Sequence, residues 1–139
     1  MANRFVVDNS VVMAWCFKDE SSDYADGVLD KLSSATAVVP SIWPLEVVNV
    51  LLAAERRKRI RQADSVRFVT LILQLPILLE HDRPEKTMRD LLALGRDTGL
   101  SSYDAAYLDL AIRKDCALAT LDQRLIEAAA TMDVTILKV

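Results

Sequence analysis

Phe5-Val6-Val7-Asp8-Asn9-Ser10 limits what this chain can fold into more than any other run in it. Three bulky apolar residues in a row, without polar alternation, read as a short buried strand. The run stops abruptly at an acid. Asn and Ser follow, and both favour turns and helix caps. Asp8 therefore stands at the carboxyl end of a buried strand, where open α/β sheets place their ligands. The fold and the function both turn on whether other acids are delivered to the same edge.

The rest of the chain repeats the alternation of strand and helix. Ala37-Val38-Val39-Pro40, Ile77-Leu78-Leu79, Ala117-Leu118-Ala119-Thr120 and Val134 to Leu137 read as further strands. Helices are expected over Val11 to Phe17 and over Asp23 to Ser33, where Tyr24, Ala25, Val28, Leu29 and Leu32 recur at helical spacing. Ser41-Ile42-Trp43-Pro44-Leu45-Glu46 opens a long helix with Pro in its first turn, where the missing N–H costs nothing. That helix ends in Arg56-Arg57-Lys58-Arg59, at the negative end of its dipole. Gln62 to Leu75 follows with Val66, Val69 and Leu73 inward, then Glu85 to Asp97 with Met88, Leu91, Leu92 and Gly95 inward. Ser102 to Lys114 and Asp122 to Thr131 complete the set. Strands alternating with helices give an α/β fold around a mainly parallel sheet of four or five strands, covered on both faces.

At 139 residues, 52% apolar and with 3 glycines, the chain reads as one helix-rich domain spanning residues 1–139. No basic leader with an apolar core opens the sequence. No apolar run reaches membrane-spanning length, since Gln74 and Pro76 break Leu71 to Leu79. Cys16 and Cys116 lie in apolar contexts and read as reduced, buried thiols, which points to the cytoplasm, and the lack of a spanning run points away from membranes. A net charge of −3 argues against indiscriminate nucleic-acid binding, which needs a basic face.

Asp8 ends the first strand, Glu46 lies just inside the helix after the second, Asp104 falls in the first turn of its helix, and Asp122 follows the strand ending at Thr120. In a parallel sheet such points share one edge, and helix amino termini there favour ionised carboxylates. Taken singly, each acid has a plainer role. Ser101-x-x-Asp104 fits an acidic capping box, Asp122 an N-cap, Glu46 a first-turn acid and Asp8 an Asx turn. Together they repel. Two unit charges about 4 Å apart at an effective dielectric near 20 cost roughly 4 kcal/mol, and no Lys or Arg is expected alongside to offset this. Such a cluster takes up protons or a divalent cation. Oxygen-only donors suit Mg2+ or Mn2+ rather than Zn2+.

Val6-Val7-Asp8-Asn9-Ser10-Val11, Pro44-Leu45-Glu46-Val47-Val48-Asn49, Ser102-Tyr103-Asp104-Ala105-Ala106-Tyr107 and Ala119-Thr120-Leu121-Asp122-Gln123-Arg124-Leu125 resemble, in order and spacing, the motifs of PIN-domain ribonucleases, above all the VapC toxins of toxin–antitoxin pairs. The resemblance implies a three-layer α/β/α sandwich and Mg2+- or Mn2+-dependent cleavage of single-stranded RNA. It implies that Asp8 and Asp104 are the main metal ligands, that Glu46 is a ligand or the base for the attacking water, and that Asp122 acts directly or through water. Ser10 and Asn49 would orient the acids by hydrogen bonds. It also implies a homodimer restrained by a VapB-like antitoxin that inserts a basic residue into the acidic crevice.

The remaining candidates have plainer readings. Arg56, Arg57, Lys58, Arg59 and Arg61 are read first as a solvated helix end and only second as an RNA guide. Trp15 and Trp43 read as core or interface, Tyr103 and Tyr107 as packing beside Asp104, and His81 as a loop residue. Val47, Val48, Val50, Leu51 and Leu52 make one helix apolar over more than one stripe, which suggests a second covered face. Two other function classes compete with the nuclease. One is a non-catalytic metal- or RNA-binding module of the same fold. The other is a phosphate receiver or phosphotransferase, which would normally pair Asp8 with a nearby second acid and a Lys on a later strand.

Overall fold

The computed structural model describes residues 3–81 and 83–139. Among them the elements run β1 (Arg4–Val7), α1 (Asn9–Cys16), a 3₁₀ turn (Lys18–Glu20), α2 (Asp23–Lys31), β2 (Thr36–Pro40), α3 (Trp43–Arg56), α4 (Gln62–Ile72), β3 (Ile77–Glu80), α5 (Pro84–Thr98), α6 (Ser102–Lys114), β4 (Ala117–Ala119) and α7 (Gln123–Thr131). The strands form one sheet in the order β3-β2-β1-β4, and every pairing is parallel. Helices cover the sheet in an α/β/α arrangement. Phe5, Val6 and Val7 are buried in β1, as are Ala37, Val38 and Val39 in β2 and Leu118 and Ala119 in β4. Strands sealed on both faces account for the unbroken apolar runs of the sequence. The chain winds from β1 through β2 to β3, then returns to place β4 on the other side of β1. The reversal leaves a crevice beyond the carboxyl ends of β1 and β4.

Local chemistry sets the ends of several elements. Pro44 occupies the first turn of α3. Pro84 opens α5, and Gly99 closes it in the left-handed region at φ 76°, where only glycine is free of strain. On α2, a Cβ at Gly27 would come within 2.7 Å of the Val139 side chain, so the missing side chain gives the carboxyl-terminal segment its seat.

The fifth strand expected over Val134 to Leu137 is reduced to one parallel bridge, Leu118 to Ile136. Two backbone bonds at 2.9 Å, Leu118 N–H to Thr135 and Leu137 N–H to Leu118, hold it. β4 is three residues long and offers no longer ladder. Two helix faces also differ from expectation. The inner stripe of α4 is Ser65, Phe68 and Ile72, while Val66 and Leu73 are 67% and 72% exposed. In α5, Leu94 is buried and Met88 and Leu92 are exposed. The expected stripes lie one or two residues round from the buried ones, and large apolar residues occur in both, so periodicity alone does not choose between them. Leu45, Val48 and Leu52 on α3 are exposed as well, whereas Val47 and Leu51 enter the core. Cys16 and Cys116 are free thiols, half-buried rather than buried, and burial pushes both thiols up.

Candidate active site

Sheet register fixes Asp8. Val7 lies opposite Ala119, and the Asp8 N–H donates to the Ala119 carbonyl at 3.1 Å. Asp8 and Thr120 therefore leave adjacent strands side by side. Asp8 is 5% exposed. Its Oδ1 accepts the Ser10 hydroxyl at 2.6 Å and the Val11 N–H at 3.4 Å, and its Oδ2 accepts the Thr120 hydroxyl at 2.7 Å. The same hydroxyls anchor the next loop, because Leu121 N–H donates to Ser10 Oγ at 2.9 Å and Asp122 N–H to Thr120 Oγ1 at 3.0 Å. Asp122 in turn caps α7 by accepting the Arg124 N–H at 3.0 Å. Burial pushes the Asp8 carboxyl from its ordinary 3.8 up to about 6. The bonds from Ser10, Thr120 and Val11 oppose the rise, and the Asp122 charge adds to it.

The opposite side of the crevice is carried by helices. Glu46, half-buried in the first turn of α3, accepts a short hydrogen bond at Oε1 from the buried Tyr107 hydroxyl. Burial raises the Glu46 carboxyl, the Tyr107 bond opposes this, and the Asp104 charge reinforces it. Asp104 sits in the first turn of α6, with its N–H held by Ser101 Oγ at 3.2 Å. Burial and the Asp122 charge raise its carboxyl, against Ser101 and the nearby Arg124 cation. The repulsions thus run Asp8 to Asp122, Asp122 to Asp104, and Asp104 to Glu46, so four acids far apart in sequence meet at one edge. α1, α3, α6 and α7 all start there, and their positive ends face the cluster.

The expected absence of a nearby cation is corrected by Arg124. It lies two residues past Asp122, acts on Asp104, and donates through Nη2 to the Gly99 carbonyl at 3.3 Å. Ser10 contacts Asp8 directly, whereas Asn49 is exposed one turn after Glu46. Of the basic run after α3, Arg59 pairs with Asp19 and Glu20 and lies over the Phe17 ring, and Arg61 pairs with Asp64.

The PIN domain family model matches residues 5–131. This chain is a member of the PIN domain family. Ribonuclease VapC3 of Pyrobaculum aerophilum is 27% identical over 124 residues, covering 89% of this chain and 93% of that protein. Among solved structures, PAE2754 of the same organism superposes with a TM-score of 0.70 at 23% identity, over 92% of this chain and 87% of that one. VapBC2 of Rickettsia felis, bound to a DNA fragment from its promoter, gives 0.66 at 12% identity, over 96% and 97%. FitAcB of Neisseria gonorrhoeae gives 0.57 at 16% identity, over 96% of each chain. At these identities the solved structures establish a shared PIN fold.

Within this PIN fold, two further residues of the site lie outside the set predicted from sequence. Thr120 ties Asp8 to the backbone of Asp122, and Tyr107 holds Glu46. Tyr107 packs in the core, as its helical spacing predicts, but its hydroxyl is spent on a carboxylate. Its position three residues past Asp104 on one helix was the available signal. Among the described residues, no three Asp, Glu, His or Cys side chains stand close enough to grip a bare ion by themselves. The donors do fit a hydrated hard cation, which takes one or two carboxylates and keeps its waters. All are oxygens. Asp8 Oδ2 carries one hydrogen bond and retains a lone pair, and a cation would relieve the burial and repulsion that hold three of the carboxyls high.

Proposed function

We propose that this chain is a divalent-metal-dependent endoribonuclease acting as the toxin of a VapBC-like pair in the cytoplasm. The observation that carries the reading is the convergence of Asp8, Glu46, Asp104 and Asp122 on one edge, with repulsion running through the set. Asp8 and Asp104 would hold Mg2+ or Mn2+, with Asp122 acting directly or through water. The ion, when bound, polarises a water and offsets charge on the phosphate. Ser10 and Thr120 keep Asp8 aimed into the crevice. Tyr107 occupies Glu46 Oε1, which leaves Oε2 free to complete the acidic set or to take the proton of the attacking water.

The name of Ribonuclease VapC3 and the likeness to VapBC2 and FitAcB support the reading, including a VapB-like antitoxin whose basic residue would compete with the cation. The exposed Leu45, Val48 and Leu52 of α3 suit a homodimer or an antitoxin contact. No helix among the described residues is long and apolar enough to cross a membrane.

The deciding experiment is cleavage of single-stranded RNA with Mg2+, Mn2+ or EDTA by the parent chain, Asp8→Asn and Asp104→Asn. Cleavage should require the metal and fall about a thousandfold or more in both variants. Variants that cut like the parent would move the site elsewhere. Bound metal without turnover on any RNA would make the chain a non-catalytic binding module.

A further inference from the structure

Beside the acidic edge lies an opening that the proposed hydrolysis leaves unused. It is a cavity of about 200 Å3 near the end of β2, the start of α3 and the facing sides of α5 and α6. Ile42 and Tyr103 line both this cavity and the groove that contains Glu46, so one wall of side chains is common to the two. Tyr103 directly precedes Asp104 and is 56% exposed. On the cavity wall Asp109 is 5% exposed, and its Oδ2 accepts a hydrogen bond from Arg113 Nε at 2.9 Å. Ser102 and Thr87 add hydroxyls to the lining.

A flat ring at the mouth and a fixed carboxylate inside match what single-stranded RNA presents when a base is splayed from its neighbours: a face to stack and an edge to hydrogen-bond. A carboxylate accepts and does not donate, and Arg113 orients it without exhausting its lone pairs. Guanine alone among the four bases carries two donors side by side on its Watson–Crick edge, N1–H and the N2 amino group. Uracil sets its one N–H between two carbonyls, which a carboxylate repels. Adenine and cytosine each set an amino group beside an acceptor nitrogen. Asp109 lies five residues past Asp104 on α6, about 7.5 Å along the axis and roughly 140° round it, so the base would be read on a neighbouring face of the helix that carries Asp104.

We propose that this cavity is a guanine-binding subsite of the nuclease. Tyr103 is the stacking platform and Asp109, held by Arg113, reads the donor edge, so that a guanine is seated next to the phosphate that is cut. The proposal rests on the nuclease reading, and its test separates the two.

In one arm, a random-sequence single-stranded RNA pool is cut with Mg2+ and the new ends are sequenced. The parent should enrich G at one fixed position beside the cut, and Asp109→Asn, which puts an amide in place of one acceptor, should lower that enrichment roughly tenfold. In the other arm, fluorescein-labelled UUGUU and UUUUU are titrated onto the intact chain in EDTA, where turnover does not intervene. UUGUU should bind about tenfold more tightly to the parent, Asp109→Asn should erase the difference, and Tyr103→Ala should weaken both oligonucleotides. Because Asp109 is buried, a misfolded Asp109→Asn leaves the decision to the exposed Tyr103: unchanged binding and unchanged cut-site preference in Tyr103→Ala would then overturn the subsite. Cleavage without base preference would overturn it while the nuclease reading stands. A guanine preference in binding, lost in Asp109→Asn, from a chain that cuts no RNA would uphold the subsite and overturn the nuclease.

Discussion

Asp8 and Glu46 face the same crevice from differently built walls. Asp8 leaves one of the two inner strands of the sheet, and both its oxygens are engaged by hydroxyls from its own turn and from the neighbouring strand's end. Glu46 rides on the first turn of a helix, half-exposed, with one hydrogen-bond partner. Moving Asp8 means moving the sheet; moving Glu46 needs only a rotamer change or a small tilt of α3. The strand-borne side is therefore a rigid anchor, and the helix-borne side the part that can adapt. The rigidity is costly, because the anchor is the more deeply buried charge and its proton is held to about pH 6.

The cost gives the largest expected effect. The folded chain binds the Asp8 proton more tightly than the unfolded chain, whose value is near 3.8. Stability without metal should therefore fall as pH rises from about 4 to about 6 and stay low above that. A shift of this size is worth roughly 3 kcal/mol at pH 7. Asp8→Asn should flatten that slope in urea unfolding with EDTA and should be more stable than the parent at pH 7, while losing activity. Mg2+ should stabilise the parent at pH 7 and not at pH 4. A parent whose stability is level between pH 4 and 7 would show that Asp8 is solvated and that the anchor is not costly. Next comes Thr120→Val, which keeps the shape and removes both the donor to Asp8 and the acceptor for Asp122 N–H. It should cost about 1–2 kcal/mol and weaken metal-dependent cleavage by about 10- to 100-fold. A change under twofold would mean that strand geometry alone aims Asp8.

What the sequence disclosed follows the same division. Phe5 to Val7 was legible as a strand because a run sealed on both faces is apolar throughout, and the acid that ends it marks the edge. Ser102 to Lys114 was legible as a helix because Ser101 caps its start, and the starts of α3 and α7 placed Glu46 and Asp122 near the same edge. The inner face of α4 was only partly legible: Val69 packs against the core as its spacing predicts, but the exposed Val66 and Leu73 mimic the stripe that Phe68 and Ile72 actually bury. The bonds that organise the crevice were the least legible. Thr120 and Asp8 are 112 residues apart and Tyr107 and Glu46 are 61 apart. A hydroxyl carries no sign in the sequence of which distant carboxylate it will meet.

Tyr107→Phe gives the smallest effect and bears most directly on the contrast between the walls. The variant keeps the ring, which is 2% exposed and part of the core, and removes only the hydroxyl that holds Glu46 Oε1. Stability should change by no more than about 1 kcal/mol, because Glu46 is half-solvated and water can replace the lost donor. Cleavage should still saturate with Mg2+, but the concentration needed for half-maximal rate should rise by up to about tenfold, because Glu46 no longer keeps a fixed distance from Asp104 on the same helix as Tyr107. Titrating Mg2+ at saturating RNA separates this from a simple loss of fold, which would lower the maximal rate at every metal concentration. If the maximal rate falls and the Mg2+ midpoint does not move, Glu46 serves the attacking water rather than the cation, and the helix-borne wall belongs to proton transfer alone.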